Sequence, residues 1–218
     1  MAITLYYGSG SPYAWRVQLA LEHKALPYER KVLSFADKDT QKPAFLALNP
    51  RHRVPTITDG DFTLYESNAI VEYLDDAYPA QGRPLFPGDA KARALARRLV
   101  LEVDNYFEKP IDVLIDYALY TKPEARDVAK FDAAKHGLEE EYALFAKSMR
   151  GDFLAGELPA ADFAFYPLVA FAKRCEVKLP DFDSQALLPP PLQAWKARME
   201  ALPYLDKTIP PHWRQPSR

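Results

Sequence analysis

Apolar and polar positions alternate from the start of the chain. Ile3-Thr4-Leu5-Tyr6-Tyr7 combines β-branched and aromatic residues and predicts a short strand. Gly8 and Gly10 permit a tight turn, and Ser11-Pro12 then marks a helix start, because serine caps and proline fits the first helical position. The period becomes helical through Ala14, Val17, Ala20 and Leu21. Tyr28-Glu29-Arg30-Lys31-Val32-Leu33 predicts a second strand, so the opening reads as a parallel unit with a right-handed crossover. A short helix is expected around Ala44 to Leu48, ended by Asn49-Pro50. Two β-prone runs follow, Val54 to Thr58 and Phe62 to Tyr65, separated by Asp59-Gly60, the strongest hairpin signal in the chain. Pro55 is tolerable there only at a strand's start or edge. Ile70, Val71 and Leu74 restore helical spacing, with Glu66 or Ser67 at the N-terminus.

Proline and glycine concentrate between Pro79 and Gly88, and everything beyond is helical in character. Asp89 caps a long helix carrying Leu95, Leu99, Val103, Tyr106 and Phe107, which Pro110 is expected to kink or break before Ile111, Leu114 and Ile115 resume it. A second helix is predicted from about Pro123 towards Lys147, with Leu138, Tyr142 and Phe145 on its apolar face. Asp162 to Cys175 forms a compact apolar helix, and Leu192, Trp195, Met199 and Leu202 mark a last one, entered through Pro189-Pro190-Pro191. The tail from Pro203 is proline-rich and polar apart from Trp213. The fold class is therefore α/β plus all-α. Residues 1–80 form a thioredoxin-like βαβαββα domain, 81–88 a linker, and 89–218 a helical bundle domain.

Composition narrows the function classes. A length of 218 residues with 48% hydrophobic content suits a globular chain of two small domains. Lys+Arg 28 against Asp+Glu 30 leaves a net charge of −2, which argues against a dedicated nucleic-acid surface. The single cysteine, Cys175, excludes an intrachain disulfide framework and a multi-cysteine zinc site, and is expected to be a buried structural thiol. No metal is expected. The N-terminus shows no basic segment followed by an apolar run, and Phe163 to Ala172, the longest apolar stretch, is too short to cross a bilayer. The expected address is cytoplasmic, with no membrane partner.

Ser11 puts a hydroxyl at the positive end of a helix, a place suited to an anion, a phosphate or a thiolate. On local residues alone plain capping is the favoured reading of a serine there, and it is the common role of Glu66-Ser67 at the later helix start.

Ser11-Pro12-Tyr13-Ala14-Trp15-Arg16-Val17, Asn49-Pro50, Val54-Pro55 and Glu66-Ser67-Asn68-Ala69-Ile70 follow the order and spacing of the cytosolic glutathione S-transferase superfamily. Ala161-Asp162 and Leu192-Gln193-Ala194-Trp195-Lys196-Ala197-Arg198-Met199 extend the resemblance over essentially the whole chain. It implies a glutathione-binding first domain, a helical domain contributing the hydrophobic substrate site, and a homodimer. Glutathione enters as co-substrate. By the same resemblance Ser11 donates to the glutathione sulfur and favours thiolate over thiol, with Ser9 as the competing hydroxyl. Val54 and Pro55 resemble the edge that pairs with the cysteinyl backbone. Glu66 and Ser67 resemble the pair that receives the γ-glutamyl end, and Arg53, His52 or Lys42 is implied to meet the glycine carboxylate. Tyr7, Tyr13, Phe35, Tyr106, Tyr117, Tyr120 and Trp213 are candidates for a pocket accepting an apolar electrophile, though ordinary packing serves each tyrosine as well.

Serine at position 11, where omega-class transferases and glutaredoxins carry cysteine, disfavours thiol–disulfide exchange, since serine forms no mixed disulfide. The run looks closest to tau-like or bacterial serine-type members. The expected activity is conjugation of glutathione to small hydrophobic electrophiles. The alternatives are a zeta-like isomerase, a glutathione peroxidase, or a non-catalytic carrier or interaction module on the same fold. One departure stands out: Pro159 occupies the place where the family's capping hydroxyl is usual, which leaves Asp162 without its ordinary partner.

Overall fold

The computed structural model describes residues 3–157 and 160–214, so Pro159 and its bearing on Asp162's cap lie outside the described residues. The chain divides into two compact units, one holding residues up to Phe86 together with the segment from Pro203, the other running from Pro87 to Leu202.

In the first unit, β1 (Ile3–Tyr7), β2 (Tyr28–Val32), β3 (Thr56–Asp59) and β4 (Phe62–Tyr65) form one sheet in the order β2-β1-β3-β4. β1 and β2 are parallel, joined through α1 (Pro12–His23), while β3 runs antiparallel to both β1 and β4. Asp59 pairs with Phe62 across the expected hairpin, and Gly60 takes the φ of 62° that the turn demands. A short α2 (Pro43–Leu46) precedes β3, and α3 (Ser67–Ala77) follows β4 and packs on α1. Ile3, Leu5, Val17, Leu21, Ile57, Ile70 and Leu74 fill the core, the inward positions of each predicted period. β2 is an exposed edge carrying Glu29, Arg30 and Lys31, charges that discourage pairing with another chain.

Register decides what meets at one end of this sheet. Tyr6 lies opposite Thr56, Thr56 opposite Tyr65, and Tyr7 beside Val32. The residues just after β1, just before β3, just after β4 and just after β2 therefore share an edge: Gly8–Ser11, Val54–Pro55, Glu66–Ser67, and the stretch to Phe35.

The sequence placed everything beyond residue 88 in the helical part. The structure instead packs the segment from Pro203 with the first unit: α9 (Leu205–Thr208) lies on α1, and Trp15 Nε1 donates to Thr208 Oγ1 at 2.7 Å.

The second unit comprises α4 (Ala90–Glu102), α5 (Glu108–Ile115), α6 (Val128–Ser148), α7 (Ala160–Cys175) and α8 (Pro190–Glu200). Pro110 does not break the helix. A wide turn over Val103–Phe107, closed by Glu108 N–H to the Val103 carbonyl, precedes it and joins α4 to α5 without leaving helical geometry. Leu99, Val103 and Phe107 are buried as expected, whereas Leu95 and Tyr106 face solvent. Phe107, Tyr142, Phe145, Phe165 and Trp195 form a contiguous aromatic core with ring centroids 4.3 to 6.1 Å apart. Asp162 Oδ1 accepts from Leu154 N at 3.0 Å and from Trp195 Nε1 at 2.6 Å, partners other than the cap that the sequence pattern led one to expect. Cys175 is buried, and burial pushes its thiol up to about 12, which fits an inert structural role. No described helix is long and apolar enough to cross a membrane.

Candidate active site

Ser11 is the N-cap of α1, with Pro12 in the first turn. Its Oγ accepts from Ala14 N at 3.3 Å, and its own N–H bonds the Gly8 carbonyl at 3.1 Å. The side chain caps, which the sequence left open. A hydroxyl has two lone pairs and one hydrogen, so the cap uses an acceptor site and leaves the O–H to donate. Gly10, at a φ of 91°, makes the turn that aims Ser11 at the sheet end. Ser9 points elsewhere: its Oγ lies 3.0 Å from His212 Nδ1.

Val54 and Pro55 stand immediately before β3, joined by a cis peptide bond. Asn49, almost fully buried, holds the preceding loop: Nδ2 donates to the Arg53 carbonyl at 2.8 Å and to Thr56 Oγ1 at 3.1 Å, and Oδ1 accepts from Arg51 N at 2.9 Å. The loop thereby keeps the backbone at Val54 clear of internal ladder bonds before Thr56. The sequence marked Asn49 as a helix stop and, with Pro50, as part of the family resemblance, but not as the anchor of this loop.

Glu66 ends β4 and caps α3 without any side-chain bond, in a backbone conformation (φ 71°, ψ 111°) unusual for a residue bearing a side chain. Ser67 does not cap either. It is buried, and its Oγ accepts from Arg16 Nη1 at 3.2 Å, while Asn68 Oδ1 accepts from the same nitrogen. Plain capping therefore does not account for Glu66-Ser67. The two side chains stand at a helix N-terminus, held there by strain on one and an arginine on the other.

The three candidates for the glycine carboxylate differ. Lys42 Nζ is bonded to Asp39 Oδ1 at 2.5 Å, and this bond raises the lysine's pKa and lowers the aspartate's. His52 is exposed in a left-handed conformation, φ 46°. Arg53 is exposed directly beside Val54.

Of the aromatic candidates in the first unit, Phe35 is exposed and lies over Gly8, where a Cβ would fall 2.2 Å from its Cζ. Tyr7 lines a recess of about 10 Å³ with Ser9, Ser11, Gln18, Arg30 and Thr208, room for about one water. Tyr13 lies under the Arg16 guanidinium at 5.5 Å, and Trp213 meets the Trp15 face edge-on at 5.4 Å. In the second unit Tyr106 and Tyr120 are exposed, and Tyr117 stacks on Phe131 at 4.8 Å, an ordinary packing role. Arg16, Asn49, Gln18, Thr208 and His212 were not singled out from sequence. Arg16, Thr208 and His212 act through partners far along the chain, which no local pattern marks, whereas Asn49 bonds within its own loop. No group of three or more His, Cys, Asp or Glu among the described residues is placed to hold a metal ion.

Residues 10–77 match the family model described as glutathione S-transferase, N-terminal domain. Glutathione S-transferase A of Pleuronectes platessa is 30% identical over 217 residues, covering 97% of this chain and 92% of its own. A probable maleylacetoacetate isomerase of Vibrio cholerae is also 30% identical, over 216 residues and 96% of each chain. The crystal structure of a glutathione S-transferase from the Antarctic clam Laternula elliptica superposes with a TM-score of 0.83 at 33% identity, covering 99% of this chain and 95% of that one. With a near full-length relative at that identity and the same two-part architecture, the chain belongs to the glutathione S-transferase superfamily.

Proposed function

We propose that this chain is a serine-type transferase that adds the thiolate of glutathione to small apolar electrophiles, with Ser11 donating its O–H to the sulfur. The carrying observation is the geometry of Ser11: its oxygen accepts the Ala14 N–H at the start of α1, which leaves the O–H free to donate beside the helix's positive end. A hydrogen bond to the charged form lowers a thiol's pKa, and the reactive thiolate fraction near neutral pH rises with it.

In this reading the backbone at Val54 pairs with the peptide like an added strand. Ser67 and the N-terminus of α3 take the γ-glutamyl carboxylate, the Glu66 carboxylate takes its ammonium, and Arg53 takes the glycine carboxylate. Arg53 is preferred because Lys42 already holds Asp39. Phe35, Tyr7, Tyr13 and Trp213 offer the apolar surface on the first unit for the acceptor. A homodimer belongs to the same reading, by family resemblance.

Ser11→Ala tests it. Turnover of an activated aromatic chloride at neutral pH should fall at least about tenfold, while the KM for glutathione stays within about twofold, since the lost bond acts on the thiolate rather than on peptide binding. Equal turnover by the variant would overturn the assignment. The likeness to the Vibrio cholerae protein favours a second reading, glutathione-dependent isomerisation of maleylacetoacetate. A wild-type chain that isomerises maleylacetoacetate much faster than it conjugates the chloride would favour that one.

A further inference from the structure

The turn that carries Ser11 is held from outside by the end of the chain. The Pro211–Trp213 turn lies over it: Ser9 Oγ and His212 Nδ1 are 3.0 Å apart. A Cβ on Gly10 would stand 3.1 Å from His212 Cε1, 3.3 Å from its Nε2 and 3.6 Å from Trp213 Nε1. The segment is anchored at several further points, by Thr208 to Trp15 Nε1, by Trp213 edge-on to the Trp15 ring, and by Tyr204 O–H to His23 at 2.8 Å. Gly10 is thus confined twice. Its left-handed φ favours glycine, and its open side is filled by the imidazole.

A serine hydroxyl at a helix N-cap is steered by the two residues before it, because their backbone sets the direction in which its Cβ leaves the turn. Ser9 and Gly10 are those residues, and the imidazole of His212 fixes both, one by hydrogen bond and the other by contact. We propose that His212 is a positioning residue of the thiolate site, acting on Ser11 through Ser9 and Gly10. The proposal rests on the role given to Ser11 above. His212 makes no contact with the reacting atoms in this account. It restricts the turn so that the Ser11 O–H is held at one place beside the start of α1. Preorganised donors stabilise a developing or existing anion without reorganising, so loosening the turn costs thiolate stabilisation before it costs peptide affinity.

The test uses the full chain and five variants: Ser11→Ala, Ser9→Ala, His212→Ala, His212→Asn and the Ser9→Ala/His212→Ala double variant. The readouts are the pH profile of kcat with an activated aromatic chloride, the KM for glutathione, and the thiolate ultraviolet absorbance of the glutathione complex. His212→Ala and Ser9→Ala should each lower kcat at neutral pH roughly fivefold to tenfold and displace the profile to higher pH, with the KM for glutathione within about twofold. The Ser9→Ala/His212→Ala double variant should lose no more than His212→Ala alone, since the Ser9 bond is already gone when the imidazole is removed. His212→Asn, whose side-chain amide reaches about as far as Nδ1, should recover most of the loss. His212 is exposed, so these changes leave folding intact, and thermal melting checks it. If Ser11→Ala displaces the profile and the His212 and Ser9 variants do not, or if their losses add, the positioning role is overturned and the role of Ser11 stands. If Ser11→Ala changes nothing, the reading of Ser11 falls, and this proposal falls with it.

Discussion

Arg16 Nη1, on the buried side of α1, donates to Ser67 Oγ at 3.2 Å at the start of α3. One guanidinium therefore joins the helix begun by Ser11 to the helix begun by the proposed γ-glutamyl site. Its second acceptor, Asn68 Oδ1, lies on the next residue, so one terminal nitrogen serves two adjacent side chains. Replacing Arg16 by methionine keeps most of the volume but takes away the donor that Ser67 Oγ and Asn68 Oδ1 accept from, a cost of about 1–3 kcal/mol in stability. The melting temperature should fall, and the KM for glutathione should also rise roughly tenfold, the worth of one hydrogen bond to a charged group. Arg16→Lys should fall between, because the ammonium keeps donors on a side chain of shorter reach. A variant that loses stability with an unchanged KM would make Arg16 purely structural.

Much of this arrangement could be read from local sequence. Ser11-Pro12, the Asp59-Gly60 hairpin and the position of Glu66-Ser67 follow from residues within a few places of each other, and register then brings them to one end of the sheet. What could not be read is what depends on distant partners or on backbone strain. Ser67 looked like a cap because serine usually is one at a helix start; Arg16 claims its hydroxyl from 51 residues away. The polar, proline-rich tail has no periodicity, so nothing marked Thr208 and His212 as neighbours of Trp15 and Ser9. Pro110 read as a break because sequence does not show that a wide turn at Val103–Phe107 absorbs it.

Two glycines should respond unequally to alanine. A Cβ on Gly82, at a φ of 59°, would fall 2.4 Å from the backbone of Lys24, which is wholly buried and reaches Asp75 Oδ1 at 3.3 Å. Asp75 also accepts from Leu85 N at 2.7 Å and Phe86 N at 3.2 Å, so the loop has little room to move. Gly82→Ala should cost about 2 kcal/mol or more in urea unfolding, combining overpacking with an unfavourable φ. At Gly8 the obstacle is only the tip of the exposed Phe35 ring. Gly8→Ala should cost less than about 1 kcal/mol and chiefly change the KM for the electrophile, because Phe35 is displaced rather than buried worse. Equal stability losses at both positions would contradict this.

His23 gives the first unit an acid-sensitive point. Burial, with Arg83 and Lys24 nearby, lowers its pKa to about 4. The fold therefore favours the neutral ring, and the contribution is full above the unfolded value of about 6.5 and lost as pH falls towards 4, about 3 kcal/mol at most. His23→Gln removes the titration. Protection against hydrogen exchange in α1 and α9, taken relative to the intrinsic rate at each pH, should fall between pH 6.5 and 4.5 in the wild type, and much less in the variant.

Asp162 gives the helical unit the opposite response over nearly the same range. Burial pushes its carboxyl up to about 7, against the Leu154 and Trp195 N–H donors, which favour the anion. The second oxygen finds no donor among the described residues, which fits a proton resting there. A folded value raised above the unfolded one of about 4 means the contribution is full below pH 4 and lost as pH rises through 7, by up to about 4 kcal/mol. Asp162→Asn keeps an oxygen for both donors and carries no charge at any pH. Its unfolding free energy should lie closest to the wild type's at acid pH and gain on it steadily towards pH 8, so that the difference between the two, plotted against pH, slopes upward through 4 to 7. Measuring the difference cancels the His23 contribution, which both proteins share. A flat difference would mean that Asp162 is ionised in the folded protein throughout, and that the Trp195 and Leu154 bonds outweigh its burial.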